Sequence, residues 1–384
     1  MELKHGLHLA YCTNIHRGED WAQTFGSLKT HTLGVRDRVA PGRAYAIGLR
    51  LSDRAARELS EPAVLDNFQQ WLVDENCYVF TLNGFPFGDF HGTRVKEQVY
   101  VPDWTSPARL EYTNRLFDLI AALVPEGMEG SVSTLPGSFK EFIVEESQEQ
   151  AIRNNLWKCV EHISALSERT GKDLHLGLEP EPLGYFETSE ETVAFFEKMR
   201  AEHPNDVRLN QHLGVNYDTC HLAVEYEEPQ DAIGRICEAG VRISKLHLSA
   251  ALKMTPSDDT RAQLKQFEED VYLHQVVERM PDGSLVRHRD LDAVLSTVTE
   301  AEEWRIHFHI PLHSPDTDWF ASTRDHIYGV LDLVKADPAL CAHLEMETYT
   351  WEVLPAEMKN RDVVGQLAGE YDWTLAQLRA RDLA

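Results

Sequence analysis

Short apolar runs alternate with helical segments along most of this chain, and several of the runs end in a carboxylate or an imidazole. The runs with strand character lie at 6–12, 45–52, 78–84, 130–137, 174–180, 213–218, 242–249, 305–313 and 343–350. The segments between them carry apolar residues at helical spacing. Strict alternation of strands and helices is typical of a parallel sheet, and it predicts an α/β fold of the (β/α)8 TIM-barrel type.

Helix boundaries are marked at three places in the sequence. Ser106 followed by Pro107 is typical of a helix N-terminus, and Gly171 is typical of a helix end. Thr188 and Glu191 have the spacing of a capping box. These signals predict helices between neighbouring strand-like runs.

Nine strand candidates compete for the eight places of such a barrel. One run must therefore lie outside the barrel, and the sequence leaves open which one it is. The runs at 6–12 and 305–313 are the weakest barrel candidates.

Two long intervals predict enlarged loops on the C-terminal face of the barrel. One covers 83–104 and the other covers 250–290. Within the second, two short runs flank a Pro-Asp-Gly turn and predict a hairpin insertion near 270–288. Because no low-complexity linker interrupts the chain, we expect residues 1–384 to form a single domain.

The composition limits the possible partners and compartment. A net charge of −26, from 37 basic and 63 acidic residues, argues against nucleic acid as a partner. No apolar stretch approaches the roughly 18 residues that a membrane span needs, so no membrane insertion is expected. The six cysteines form no closely spaced pairs, which is typical of reduced thiols. A cytoplasmic location is predicted.

The polar residues at the strand ends are the candidate metal ligands, namely Glu179, Asp218, His247 and Glu345. The C-terminal strand ends of a barrel meet at one mouth, so these side chains are expected to converge. Alternation places each of them on the inward face of its run, where several carboxylates need a positive counter-charge. Oxygen ligands with one imidazole suit Mn2+, Mg2+, Co2+ or Zn2+.

Three further side chains are candidates for catalysis. Glu181 and Glu347 each lie two residues beyond a candidate ligand, and either is placed to act as a general base. His221 follows Asp218 by three residues, as a second ligand or a proton shuttle. A divalent ion that holds adjacent carbonyl and hydroxyl oxygens of a sugar stabilises an enediolate as a proton leaves carbon.

Candidate substrate contacts lie in two segments. The long loop after the third run carries His91 and Lys96, which suit an anionic group, beside phenylalanines that could form a lid. The eighth run carries His309 and His313; its period places His307 and His309 on one face. No dinucleotide-binding, P-loop or serine-hydrolase motif is present.

Several of these motifs resemble a known superfamily. The segments EPEP, NYDTCH, KLHLS and LEMETYTW resemble the xylose isomerase-like TIM barrels, which include sugar isomerases, sugar epimerases and the endonuclease IV group. The resemblance implies a metal site made of Glu179, Asp218 with His221, His247 and Glu345.

A narrower resemblance covers residues 8–355. The segments HLAYCTNIH, NGFPFGDFHG, VKEQVYVPDW, VNYDTCHLAVEYE and HLEMETYTWEVLP are similar to those of the EboE family of metabolite traffic proteins. That resemblance implies a role in making or moving a small metabolite. The partners it implies are that metabolite and either a second copy of the chain or other proteins of the same gene cluster.

The primary prediction is a divalent-metal-dependent isomerase or epimerase of a small polyhydroxylated metabolite. The long interval before Glu345 departs from the simple isomerase pattern and leaves His309 open as the fourth ligand. Histidines in the predicted hairpin, His274 and His288, leave open a metal-dependent hydrolase like the endonuclease IV branch. A non-catalytic metabolite-binding or scaffold protein for export is the remaining alternative, favoured if the mouth carboxylates pair with Lys245 and arginines.

Overall fold

Parallel strands dominate the computed structural model of the protein, which describes residues 1–92, 94–355, 358–359 and 361–384. In chain order the strands are β1 (His8–Tyr11), β2 (Tyr45–Arg50), β3 (Cys77–Asn83), β4 (Gly130–Thr134), β5 (Leu174–Leu178), β6 (Leu213–Asp218), β7 (Arg242–Leu248), β8 (Leu252–Met254), β9 (Val276–Arg279), β10 (Leu285–His288), β11 (Glu303–Ile306), β12 (Ala321–Ser322) and β13 (His343–Met346). Strands β1–β7 and β13 form one sheet and the other five form a second.

Helices follow the barrel strands and pack against their outer faces. In chain order they are α1 (Trp21–Ser27), α2 (Leu33–Val39), α3 (Asp53–Leu59), α4 (Pro62–Asp74), α5 (Pro107–Leu123), α6 (Glu146–Thr170), α7 (Ser189–Glu202), α8 (Arg208–His212), α9 (Thr219–Val224), α10 (Pro229–Glu238), α11 (Asp258–Leu264), α12 (Asp292–Leu295), α13 (Arg324–Ala336) and α14 (Val363–Ala380). The predicted boundaries are confirmed: Ser106 caps α5, Gly171 ends α6 with a φ of 71°, and Thr188 opens α7 in a capping box.

The large sheet curves into a nearly closed barrel. Its strand order is β1-β13-β7-β6-β5-β4-β3-β2, and every neighbouring pair is parallel. The two edges meet where Cys12, just after β1, forms a parallel bridge with Gly48 of β2. A β-carbon at Gly48 would lie 2.7 Å from the carbonyl oxygen of Tyr11, so glycine permits this close approach. The predicted (β/α)8 barrel is confirmed.

The second sheet is antiparallel and is inserted between β7 and β13. Its strand order is β10-β9-β11-β8-β12. Strands β9 and β10 flank the Pro-Asp-Gly turn, so the predicted hairpin near 270–288 is confirmed. The run at 305–313 is the one that lies outside the barrel, because β11 pairs with β8 and β9. The run at 6–12 belongs to the barrel as β1.

Side chains along the barrel strands alternate between the hydrophobic core and the inward face that carries the candidate site. In β5, Leu174, Leu176 and Leu178 are fully buried in the main hydrophobic cluster, while the intervening positions face inward. None of the helices in the described ranges is long and apolar enough to cross a lipid bilayer. The six cysteines, all within those ranges, are free thiols. The cytoplasmic location and the single-domain organisation stay predictions.

Candidate metal centre and its pocket

His247, near the end of β7, is the centre of the candidate site. Its Nδ1 lies 2.9 Å from Oε1 of Glu179, 3.3 Å from Oε2 of Glu347 and 3.5 Å from Oδ2 of Asp218. One ligand atom from each of these four buried residues lies within 4.8 Å of the others. Three carboxylates and one imidazole nitrogen thus surround a single point at the mouth of the barrel, a donor set that suits Mn2+, Mg2+, Co2+ or Zn2+.

Glu345 lies on the opposite side of the same imidazole. Its Oε2 is 2.8 Å from Nε2 of His247 and 2.6 Å from Nζ of Lys245. Lys245 also donates to Ser133 at 2.9 Å. Glu345 is level with His247 in the strand register, and Glu347 lies two residues, roughly 6.6 Å, further toward the mouth. Glu347, rather than Glu345, therefore joins Glu179, Asp218 and His247 in this group, and the metal-ligand assignments stay predictions.

Asp218 has one satisfied carboxylate oxygen and one free one. Its Oδ1 accepts hydrogen bonds from the backbone N–H groups of Cys220 at 2.7 Å and His221 at 3.1 Å, and from the Ser249 hydroxyl at 2.5 Å. Its Oδ2 has no hydrogen-bond partner among the described residues, although it is buried. Burial opposes ionisation, but the neighbouring His221 and His247 outweigh it and hold the pKa of Asp218 well below its ordinary value. A buried, ionised oxygen without a donor fits a metal ligand.

The protonation states of His247 and Glu347 are linked. Burial lowers the pKa of His247, but the carboxylates of Glu347, Glu179 and Asp218 together outweigh burial and raise it well above the ordinary value. For Glu347 the two effects have the opposite signs. Burial raises the pKa of this carboxyl group, the adjacent His247 lowers it, and the net result is a lowered pKa. An imidazolium therefore balances the carboxylates, and a divalent cation has to displace its proton to bind.

A second group of imidazoles lies beside the first group. Nε2 of His309 is 3.3 Å from Nε2 of His307 and 3.4 Å from Nε2 of His221. Asp218, His221 and His309 meet the same 4.8 Å distance condition, as do Glu181, His221 and His307. Burial lowers the pKa of both His307 and His309, which leaves neutral imidazoles with lone pairs to donate. The shared Asp218 joins the two groups.

A pocket opens above these groups. Glu179, Glu181, His221, His307 and Glu347 are among its polar lining residues. Burial raises the pKa of Glu181 to about 8, and its Oε1 has no hydrogen-bond partner among the described residues. The catalytic candidates Glu181, His221 and Glu347 are therefore brought together at one pocket.

The loop residues predicted to contact substrate are placed differently. Nε2 of His91 lies 2.5 Å from the Asn14 carbonyl oxygen, and its Nδ1 lies 3.0 Å from the Tyr272 hydroxyl. Lys96 lines the pocket, but its ammonium group is paired with Asp290 at 2.7 Å. Neither side chain presents a free charge in this arrangement, and the anion contacts expected of His91 and Lys96 stay predictions. Residue 93 of this loop lies outside the described residues.

The two histidines of the run at 305–313 have separate positions. His309 is fully buried and belongs to the imidazole group beneath the pocket. His313 lines a different surface pocket with Trp319 and Arg361. The chain leaves the mouth of the barrel between His309 and His313, so His313 is not among the lining residues of the pocket above His247, and its predicted substrate contact stays a prediction.

Some residues of the site were not among the sequence-based candidates. Asn14 and Asn83 donate to Oε1 of Glu347 at 2.8 and 3.1 Å. Asn83 is the last residue of β3, so the strand-end pattern carried a signal for it. Tyr100 and Tyr349 line the pocket from irregular segments, where no periodic pattern marks them.

Comparisons of the sequence with known proteins give no family. No family model matches the chain, and no curated protein shows significant similarity to it. The resemblance to the EboE family therefore stays a prediction.

Comparison with solved structures identifies the fold of the chain. L-ribulose 3-epimerase is 13% identical with a TM-score of 0.52, over 99% of this chain and 96% of that chain. The xylose isomerase domain protein from Planctomyces limnophilus is 12% identical with a TM-score of 0.53, over 97% and 96%. D-psicose 3-epimerase from Clostridium cellulolyticum H10, solved with D-tagatose, is 11% identical with a TM-score of 0.51, over 98% and 99%. The protein has the fold of the xylose isomerase-like TIM barrels.

Proposed function

We propose that the protein is a metal-dependent isomerase or epimerase of a small polyhydroxylated metabolite, with Glu179, Asp218, His247 and Glu347 holding one divalent ion. The observation that carries the proposal is the convergence of three carboxylates on Nδ1 of His247 beneath a pocket. A bound ion supplies electrostatic stabilisation for the negative charge that develops next to a carbonyl group when a proton leaves carbon.

Two side chains of the pocket are suited to move that proton. Glu181 faces the pocket with a free Oε1, and a pKa of about 8 lies close to an operating pH near neutrality. His221 lines the same pocket, and its Nδ1 lies 3.1 Å from the carbonyl oxygen of Pro180. With Glu347 assigned to the metal, Glu181 takes the role of general base and His221 that of proton shuttle.

The comparisons support this class of reaction. L-ribulose 3-epimerase and D-psicose 3-epimerase share the fold along nearly the whole chain. The expected partner is accordingly a small-molecule metabolite. The roles implied by resemblance to the EboE family, with partners from one gene cluster or a homo-oligomer, remain part of the proposal.

Hydrogen exchange into solvent tests the proposed reaction without knowledge of the product. Protein loaded with Mn2+ or Co2+ is incubated with D-tagatose, D-psicose or L-ribulose in D2O, and deuterium at the carbon beside the carbonyl is followed by NMR. We expect exchange with at least one ketose, and none with Asp218→Asn. Glu300→Gln, at an exposed residue, is the matched control. Exchange by Asp218→Asn at the rate of the parent, or none by the parent with any metal, overturns the proposal.

The imidazole group favours a second candidate function, a binuclear metallohydrolase. His221, His307 and His309 could hold a second ion that shares Asp218 with the first. Two adjacent ions are the usual arrangement for activating water and stabilising a leaving group. Two ions per chain, together with release of 4-nitrophenol from bis(4-nitrophenyl) phosphate, would support hydrolysis. One ion per chain and no release would support the isomerase proposal.

The non-catalytic alternative has less support. It requires the carboxylates of the mouth to be neutralised by lysine or arginine. Lys245 pairs with Glu345, whereas Glu179, Asp218 and Glu347 have only histidines as ion-pair partners among the described residues.

A further inference from the structure

Three buried polar atoms in the pocket lack hydrogen-bond partners. They are Oδ1 of Asn14, the hydroxyl of Tyr100 and Oε1 of Glu181, and none of them has a hydrogen bond of ordinary geometry in the described part of the chain, although the side chains of Tyr100 and Glu181 lie next to each other. The three residues are 2%, 1% and 7% exposed, and all line the pocket. Leaving such a group unpaired costs about 1–3 kcal/mol, so unpaired groups clustered in one cavity indicate a ligand that pairs with them. Hydroxyl groups satisfy all three, since they both donate and accept.

The rest of the pocket is lined mainly by aromatic rings. Phe90, Tyr272 and Tyr349 contact one another, with ring centroids 5.1–5.4 Å apart. Phe85 and Tyr100 form a second pair at 5.5 Å. A ligand that carried only hydroxyl groups would leave the apolar surface of these rings uncovered. Because burial of apolar area drives binding, we expect the ligand to carry an apolar part of its own.

The charges of the pocket exclude an anionic ligand. Glu179, Glu181 and Glu347 are carboxyl groups of the lining. Lys96 is the one lysine or arginine among the described lining residues, and its Nζ is held by Asp290 at 2.7 Å and by the carbonyl oxygen of Glu269 at 3.2 Å. A phosphate or carboxylate in the pocket would therefore find no free lysine or arginine side chain to pair with.

We infer that the substrate of this site is a polyhydroxylated ring linked to an apolar group and free of phosphate and carboxylate. Asn14, Tyr100 and Glu181 bind its hydroxyl groups, while Phe90 and Tyr272, with Tyr349, cover its apolar group. The inference rests on the proposed function, because it takes the position of the metal, below the hydroxyl groups of the substrate, from that proposal.

Matched sugars test the chemical class of the ligand. The probes are D-glucose, D-glucose 6-phosphate and phenyl β-D-glucopyranoside, with the corresponding D-galactose series, and their dissociation constants for the metal-loaded protein are measured by saturation-transfer NMR. In at least one series we expect the phenyl glycoside to bind about 10-fold more tightly than the free sugar, from the added apolar burial. The phosphate should bind most weakly.

Tighter binding of a phosphate, or no detectable binding of either phenyl glycoside, overturns the inference. Metal uptake is measured on the same samples by elemental analysis. Because uptake does not depend on the pocket above the ligands, its loss would contradict the proposed function, whereas normal uptake without glycoside binding would contradict only the inference.

Two variants separate the hydroxyl contacts from the apolar contacts. Tyr100→Phe should weaken binding of the sugar and of its phenyl glycoside by a similar factor, about 5–10-fold, because it removes only a hydroxyl. Phe90→Ala should abolish the preference for the phenyl glycoside, because it removes part of the surface that covers the phenyl group. Tyr328→Phe, on α13 against Trp373, is the matched control. Parent-like binding by both Tyr100→Phe and Phe90→Ala contradicts the assignment.

Discussion

The imidazole of His247 is held by carboxylates from both sides, with Nε2 2.8 Å from Oε2 of Glu345 and Nδ1 2.9 Å from Oε1 of Glu179. A metal-binding histidine commonly gives its second N–H to a carboxylate, which fixes the tautomer and the ring orientation. Glu345 takes this position, and Lys245 holds the same carboxylate from below. On a metal bound at Nδ1, Glu345 would therefore act through His247.

Replacement of Glu345 should weaken metal binding without abolishing it. We expect Glu345→Gln to lower the affinity for Mn2+ or Zn2+ by about 10–100-fold, because the orientation of His247 is then less strictly held. Glu347→Gln removes a ligand and should abolish binding. Isothermal titration calorimetry measures both. If Glu345→Gln loses the metal while Glu347→Gln keeps it, Glu345 is the ligand after all.

Loss of Lys245 should destabilise the barrel strongly. Its ammonium is buried between Glu345 and Ser133, and removal of one partner leaves an unpaired buried charge. Lys245→Met should cost about 3–5 kcal/mol in the free energy of unfolding, and Lys245→Met/Glu345→Leu should regain much of it. Chemical denaturation checks this, with Lys335→Met on the exposed face of α13 as the control. A double variant less stable than Lys245→Met would contradict the ion-pair account.

Barrel closure should depend on Gly48. A β-carbon there would lie 1.9 Å from Oε1 of Glu345 and 2.7 Å from the carbonyl oxygen of Tyr11. Gly48→Ala should therefore cost about 1–3 kcal/mol through overpacking. A β-carbon at Gly234 of α10 would have no neighbouring atom within 4 Å, so Gly234→Ala should stabilise by about 0.5–1 kcal/mol. Thermal melting of both variants checks the order, and equal shifts in the two would argue against steric closure at Gly48.

The stability of the protein should fall as the pH rises through neutrality because of Glu370. Burial raises the pKa of this carboxyl group from 4.5 to about 7, despite hydrogen bonds from Thr348 at 2.7 Å and Gln366 at 3.1 Å. The folded state therefore holds the proton of Glu370 more tightly than the unfolded state does. This proton binding stabilises the folded protein by about 3 kcal/mol below about pH 4.5, and the stabilisation is lost by pH 7–8.

The Glu370→Gln variant tests that pH dependence. It cannot ionise, so its melting temperature should exceed that of the parent by a few degrees at pH 8.5 and differ little at pH 5. An equal difference at both pH values would show that Glu370 does not titrate in this range.

The barrel was predictable because its strands and helices leave strong periodic signals, as Leu174, Leu176 and Leu178 do in β5. The sequence could not decide whether the run at 305–313 or the run at 6–12 lies outside the barrel, because apolar alternation marks a strand but not its partner. In the structure, β11 pairs with the inserted hairpin. The distinction between Glu345 and Glu347 was beyond the sequence, since both share the inward parity of one strand. Their heights relative to His247 depend on the register between β13 and β7.

The pocket was less predictable than the metal ligands. Phe90, Tyr100, Tyr272 and Tyr349 come from loops and from short 3-10 turns, and only the folded chain brings their rings together. Asn14 carries no periodic signal, yet it reaches both Glu347 and the pocket.

A crystal structure of the protein soaked with Mn2+, with an anomalous difference map, tests the central claim most directly. We predict one strong peak about 2.0–2.4 Å from Nδ1 of His247 and from one carboxylate oxygen each of the residues Glu179, Asp218 and Glu347. A peak bound by Glu345, a peak only among the three histidines of the second group, or no peak at saturating Mn2+ would contradict it.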